Sequence, residues 1–371
     1  MKIAFRISAM GFGGAERVFL SVADGLNAQY PVEIHFVVDE VGKGETEHVV
    51  EAKGYQLISL SSKRTLKTII PLKKYINQHK PDVLISAYPD TNFAALISAK
   101  LAHHPCKVIV SEHAPIKEHW QHASFKRHCL LNFYVRYGYQ MATHILGVSE
   151  GLKNELLALG HSEKNVSFIH NPVRFTTNLY TNSVHDENVK TIIAVGRITH
   201  QKDYLTLLKA FSFIKKQASS TTKLQLVIVG GVFETQAKAQ LDAFVAEQQL
   251  GEHVNFVGFT ENVAEYYAKA DIFVLSSKWE GFGNVLVEAL AFGLPIVSTN
   301  CHYGPIEILE NGRYGKLVPI GDWQSMAFAM QDVLNNPQQF NPQLQQKRSL
   351  DFSESVIAEK YWQLIQMVVG K

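Results

Sequence analysis

"DIFVLSSKWEGFGNVLVEALAFGLPIVST", residues 271–299, joins two β-branched runs through a glycine-bearing loop and an apolar helical stretch. Residues 272–276 read as a strand, 277–283 as a loop and 284–292 as a helix. Asn284 is its expected N-cap and Gly293-Leu294-Pro295 its stop. The run at 295–299 is the next strand. A strand, a helix and a strand in so short a span make the unit that joins parallel strands.

The same alternation extends in both directions. Before residue 150, strands are expected at 2–8, 32–38, 55–60, 82–87, 107–111 and 143–149, with helices at 14–28, 66–79 and 91–102 between them. Around 168–190 the pattern stops and turn-forming residues gather. A second series follows at 191–196, 224–231, 254–259, 271–277 and 295–299. The fold class is therefore α/β, with two Rossmann-like, doubly wound domains facing each other across a cleft. The expected boundaries are 1–170 for the first domain, 171–351 for the second with 171–189 as hinge, and 352–371 for a closing helix. The length of 371 residues suits two cores better than one.

Composition excludes several classes. With 46% hydrophobic and 19% charged residues the chain is neither disordered nor low in complexity. A net charge of +2 supplies no field for nucleic acid, and no aromatic-basic RNA motif is present. Cys106, Cys129 and Cys301 are scattered and form no CxxC pair, which fits a reducing cytoplasm. The N-terminus reads as a strand rather than a signal peptide, and no run approaches the roughly 20 apolar residues of a spanning helix.

Chemistry concentrates where strands give way to helices. Gly11, Gly13 and Gly14 close the first strand and open a helix whose free N–H groups suit a phosphate or sugar oxygen. A dinucleotide fingerprint fails there, because Glu16 stands where the last glycine is needed. In "GRITHQKDY", Gly196 ends a strand, and Arg197 and Lys202 offer a fork and a point charge suited to a diphosphate. Glu280 rides a loop whose glycines let a ligand approach backbone, while Glu288 lies one turn into the following helix. Carboxylates accept from paired hydroxyls, and the amides of Phe282, Gly283, Asn284 and Val285 suit phosphate or hydroxyl oxygens. A nucleotide-sugar offers all of these groups.

The "EGFGNVLVE" motif with seven residues between its glutamates, "GR" with Lys202 after it, "GGAER", "SEH" ending at His113, and residues 300–319 together resemble the retaining family 4 glycosyltransferases of the GT-B fold, in particular bacterial polysaccharide and lipid-linked glycan enzymes. The resemblance implies that Arg197 and Lys202 neutralise the donor diphosphate, that Glu280 meets donor-sugar hydroxyls and that Glu288 holds the ribose. It further implies that Gly13 and Gly14 close from the first domain, that His113 stands by the reacting centre, and that the last helix crosses back onto that domain. In this family the departing phosphate takes the acceptor's proton, so Glu280 is not expected to be a nucleophile. No D-x-D occurs, so no metal and no other cofactor is expected.

For the acceptor, residues 117–139 mix basic and aromatic side chains. Leu130, Phe133, Tyr134, Tyr137 and Met141 recur at helical spacing and read first as core, with the basic flank near Trp120 as a candidate membrane face. This patch and the basic segment 63–74 point to a glycan or lipid-linked acceptor and to a cytoplasmic enzyme, peripheral on an anionic membrane. The expected donor carrier is UDP. A nucleotide-sugar 2-epimerase and a noncatalytic sugar-binding scaffold are the alternatives.

Overall fold

The computed structural model describes residues 1–370 except 12, 43, 45, 118–123, 175–188 and 218–222. The chain divides into two compact units, Met1–Arg174 with Phe352–Lys371, and Phe175–Asp351.

The first unit runs β1 (Lys2–Arg6), α1 (Gly14–Gln29), β2 (Glu33–Val38), α2 (Glu47–Ala52), β3 (Gln56–Ser59), α3 (Ile69–His79), β4 (Val83–Ala87), α4 (Pro89–Leu101), β5 (Lys107–Glu112), α5 (Phe125–Arg136), β6 (His144–Gly147), α6 (Glu150–Ala158) and β7 (Val166–Phe168). Its strands are parallel in the order β3-β2-β1-β4-β5-β6-β7. The second unit runs β8 (Val189–Val195), α7 (Tyr204–Gln217), β9 (Lys223–Val229), α8 (Thr235–Glu247), β10 (Val254–Gly258), α9 (Ala264–Ala268), β11 (Ile272–Leu275), α10 (Asn284–Ala291), β12 (Ile296–Thr299), α11 (Pro305–Ile308), β13 (Lys316–Val318), α12 (Trp323–Asn335) and α13 (Pro342–Leu350). Its parallel order is β10-β9-β8-β11-β12-β13. In both sheets the strand order reverses beside the first strand of the unit, which opens a ligand crevice at the carboxyl ends.

Helix α14 (Glu354–Val369) belongs to the first unit, where it lies on α1. Gly25 permits that approach, because a Cβ there would stand 2.7 Å from Ala358 Cβ and 2.8 Å from the Glu354 carbonyl oxygen. The buried face of α14 is Ile357, Ala358, Tyr361 and Ile365, and Tyr30 stacks on Trp362 with ring centroids 4.2 Å apart. The first unit extends to Arg174, past the expected break at 170, because the Val173 N–H donates to the Phe352 carbonyl at 2.8 Å. Most of the expected hinge lies outside the described residues.

Three features depart from the sequence reading. Strands β7 and β13 were not expected, and at three residues each they are too short to display a period. Arg6, in the middle of an apolar run, is fully buried. Its guanidinium pairs with Asp39 and donates to Thr68 Oγ1 at 3.2 Å and to the Val37 carbonyl at 3.3 Å, which fastens the carboxyl ends of β1 and β2 to the turn at Thr65–Thr68.

The third departure is in α5, where the expected core stripe is mostly outside. Tyr134 is buried and stacks on Phe93 at 4.1 Å, but Leu130, Phe133, Tyr137 and Met141 are exposed. The helix buries the set Leu131, Tyr134 and Val135, with the i, i+3, i+4 spacing of one face, so the other apolar positions fall on the neighbouring face. Trp120 lies outside the described residues.

Candidate functional site

The second unit gathers its chemistry at the carboxyl ends of β8 and β11. Gly196 follows β8 with φ 152°, and a Cβ there would stand 2.8 Å from Lys202 Cε and 3.1 Å from Tyr204 Oη. The positive φ favours glycine here, and the stem of Lys202 lies beside it. Gly230, past β9, is constrained in turn, since a Cβ on it would collide with the Gly196 carbonyl oxygen. Lys202 ends a short 3-10 turn, His200–Lys202, and Asp203 at φ 45° redirects the chain into α7.

That turn is laced to the loop after β11. Ser276 Oγ donates to the Lys202 carbonyl at 2.7 Å, the Lys278 N–H to the Gln201 carbonyl at 2.8 Å, and Gln201 Nε2 to the Trp279 carbonyl at 2.8 Å. These bonds set Lys202 Nζ 2.6 Å from Glu280 Oε1, which also accepts from Ser277 Oγ at 2.6 Å. Glu280 is only 7% exposed. Behind it the Ser277 carbonyl accepts from Thr299 Oγ1 at 2.6 Å and from Cys301 Sγ at 3.0 Å. Burial pushes the Cys301 thiol up to about 12, so it serves as a neutral donor.

The helix that follows starts differently from the sequence expectation. Gly283, with φ 101°, is the N-cap of α10, and Asn284 is its first helical residue. The sharp loop needs a left-handed backbone at the cap, where glycine is favoured over asparagine. Phe282 turns inward and is buried, and Gly304 at φ 74° backs so closely on its carbonyl that a Cβ would collide with it. Val285 is half-buried, and its carbonyl accepts from Tyr267 Oη at 3.3 Å. Glu288, half-buried one turn into α10, accepts from the same hydroxyl at 2.9 Å. Burial and the Glu288 charge hold the Tyr267 phenol well above its usual range. Arg197 takes no part in this cluster among the described contacts; it is exposed, and its Cζ lies 5.0 Å over the Phe233 ring.

In the first unit, Gly13 caps α1, and the Glu16 carboxylate folds back so far that a Cβ on Gly13 would collide with it. Glu16 also accepts from Tyr88 Oη at 3.2 Å. A carboxylate at N3 complements the exposed N–H groups of a helix terminus. A Cβ on Gly14 would meet open space. His113 follows β5, with Nε2 3.0 Å from Ser111 Oγ, its ring edge-on to Phe19 at 5.6 Å, and Nδ1 buried without a partner. Burial pulls it down to about 3, so the imidazole is neutral. Beside it Glu112 is buried, bonded by the Tyr139 hydroxyl, and pushed by burial up to about 8.

Two family models match consecutive parts of the chain, Glycosyltransferase Family 4 over residues 12–176 and Glycosyl transferases group 1 over residues 177–349. The chain is 29% identical, over 99% of both sequences, to the Campylobacter jejuni GalNAc-alpha-(1->4)-GalNAc-alpha-(1->3)-diNAcBac-PP-undecaprenol alpha-1,4-N-acetyl-D-galactosaminyltransferase. It is 28% identical to the lipopolysaccharide 1,6-galactosyltransferase of Escherichia coli K12, over 87% of this chain and 86% of that one. Among solved structures, Anabaena Alr3699/HepE in complex with UDP superposes with a TM-score of 0.83 at 18% identity, over 99% of this chain and 100% of that one. The chain belongs to the family 4-like glycosyltransferases of the GT-B fold. It is a hexosyltransferase.

For this glycosyltransferase, the structure brings Gly196, Lys202 and Glu280 together, with Gly283 to Glu288 on the adjoining helix, and leaves Arg197 apart on Phe233. Tyr267, Ser277 and Gly230 were missed. Gly230 alone carried a sequence signal, as the first of two glycines ending a strand, in the position that Gly196 holds on β8. The neutral state of His113 has a measurable consequence. Its folded pKa lies below the ordinary 6.5, so the unfolded chain binds a proton that the native state refuses, and stability falls as pH drops from about 6.5 toward 3. Urea midpoints should decline more steeply below pH 6.5 for the wild type than for His113→Gln, by up to about 1.4 kcal/mol per pH unit; parallel declines would contradict the buried, neutral assignment.

Proposed function

We propose that the enzyme transfers a hexose or N-acetylhexosamine, with retention, from a UDP-sugar to a lipid-linked bacterial glycan. The observation that carries this reading is the ammonium of Lys202, held 2.6 Å from Glu280 at the carboxyl edge of a parallel sheet, just before helix α10. An ammonium has three donors, so Lys202 can keep its bond to Glu280 and offer the others to a phosphate. Cleaving the sugar–phosphate bond leaves a diphosphate that gains charge, and a cation already fixed there lowers the barrier without reorganisation. Arg197 is the second cation of this scheme. The two together stand in for a divalent ion, so a chelator is expected to leave activity unchanged.

The remaining roles follow the same division. Glu280 orients the sugar and stabilises positive charge at the ring, Glu288 takes the ribose hydroxyls, and the amides from Phe282 to Val285 line the same helix terminus. We assign Gly13, Gly14 and His113 of the first unit to the sugar end of the donor. A neutral His113 donates or accepts a hydrogen bond without adding charge. The relatives named for undecaprenol-linked and lipopolysaccharide substrates support a glycan acceptor on a lipid carrier.

The exposed face of α5 suits that setting. Phe125 is 82% exposed, and Phe133, Tyr137 and Met141 lie on the surface near Lys126 and Arg136. Aromatic groups beside cations favour an anionic headgroup layer. We propose on the strength of this face a peripheral position on the cytoplasmic leaflet; among the described residues no helix is long and apolar enough to cross a membrane.

Two experiments test these readings. A panel of UDP- and GDP-sugars, followed by slow donor hydrolysis, should give turnover with a UDP-hexose or UDP-N-acetylhexosamine. Arg197→Ala should be slower by about a hundredfold, or about 3 kcal/mol. Near-normal turnover in that variant would reject its role. On liposomes containing anionic lipid the protein should co-sediment, and the double variant Phe125→Ser/Phe133→Ser should remain in solution. Equal sedimentation of both would remove α5 from the membrane face.

A further inference from the structure

The exposed aromatic rings at the edge of the second sheet are not explained by the core. Phe233 is 64% exposed and Phe259 is 53% exposed, each lying beyond the carboxyl end of a strand, β9 and β10. The segment carrying Phe233 is firmly held. Ile198 bridges Val232, the Ile198 N–H donates to the Gly231 carbonyl at 2.8 Å, and the N–H groups of Phe233 and Glu234 return to the Ile198 carbonyl at 3.2 and 3.1 Å. This lacing fixes Phe233 next to the chain that leaves β8, and the Arg197 guanidinium lies over its ring at 5.0 Å.

We propose that Phe233 is a positioning residue, a shelf that holds the Arg197 guanidinium ready for the donor diphosphate. This rests on the functional reading above. An arginine on a loop has many rotamers, and holding it before the ligand arrives removes that ordering cost from binding. The ring face attracts the cation and leaves the planar N–H edge free to fork onto phosphate oxygens. Lys202 needs no such shelf, because Glu280 already holds it. The two cations are thus fixed by different means, one by a carboxylate and one by an aromatic face.

The test is titration calorimetry of the full chain with UDP and with uridine. Phe233→Ala should weaken UDP binding by about two- to fivefold, the range for an exposed cation–π pair, and leave uridine binding unchanged. Phe233→Tyr, which keeps the ring, should bind UDP like the wild type. In an Arg197→Ala background, Phe233→Ala should have no further effect. An equal loss for uridine would mean that the ring meets the base and would overturn the proposal. So would a loss that persists without Arg197, or UDP binding unchanged in Phe233→Ala. A wild type that binds no nucleoside diphosphate would overturn the functional reading and this one with it, whereas normal UDP binding with an inert Phe233→Ala overturns this one alone.

Discussion

The pairing of Lys202 with Glu280 is the constraint around which the second unit's crevice is built. Neither residue is regular in its setting: Lys202 ends a 3-10 turn before a left-handed Asp203, and Glu280 sits in a loop between β11 and α10. Each loop would be free to wander without the other. Three hydrogen bonds between them, one of them from the Ser276 hydroxyl, together with the Ser277 hydroxyl on Glu280 and the Ser277 carbonyl held from behind, convert two loops into one body. Removing one partner of such a pair, mostly excluded from water, costs about 3–5 kcal/mol because the other charge is stranded. The pair therefore holds the site's shape as well as its charge.

The glycines around it follow from the same constraint. Gly196, at positive φ, has the Lys202 stem beside it, Gly230 makes space for the Gly196 carbonyl, and Gly304 fits against the Phe282 carbonyl. The sequence reading placed Gly196 only at a strand end, and in the folded chain it carries φ 152° with the Lys202 stem beside it. At the first unit's turn Glu16, the residue that broke the dinucleotide fingerprint, folds its carboxylate back toward the N-cap Gly13.

Much of the fold was legible because buried parallel strands announce themselves as β-branched runs between helical stretches. Among the described residues eleven of the thirteen strands appear that way, and β7 and β13 do not because three residues carry no period. The candidate site was legible where loop chemistry is unusual, as at Gly196, Lys202 and Glu280. Its supports were not. Tyr267, Ser277, Phe233 and buried Arg6 are ordinary letters in ordinary runs, and only the folded chain brings them to Glu288, Glu280, Arg197 and Asp39. The α5 stripe failed for a sharper reason: several apolar faces fit its sequence, and the helix packs on α4 through the one with Leu131, Tyr134 and Val135.

The central claim is that Lys202 meets the donor diphosphate while Glu280, its partner, does not itself bind the nucleotide. Calorimetric UDP affinities of Lys202→Met and Glu280→Gln test this most directly. A charge-assisted bond to phosphate is worth about 1.5–3 kcal/mol, so Lys202→Met should weaken UDP by roughly tenfold or more, while Glu280→Gln should bind it at least as well as the wild type. A Glu280→Gln protein that loses UDP as severely as Lys202→Met would contradict the account.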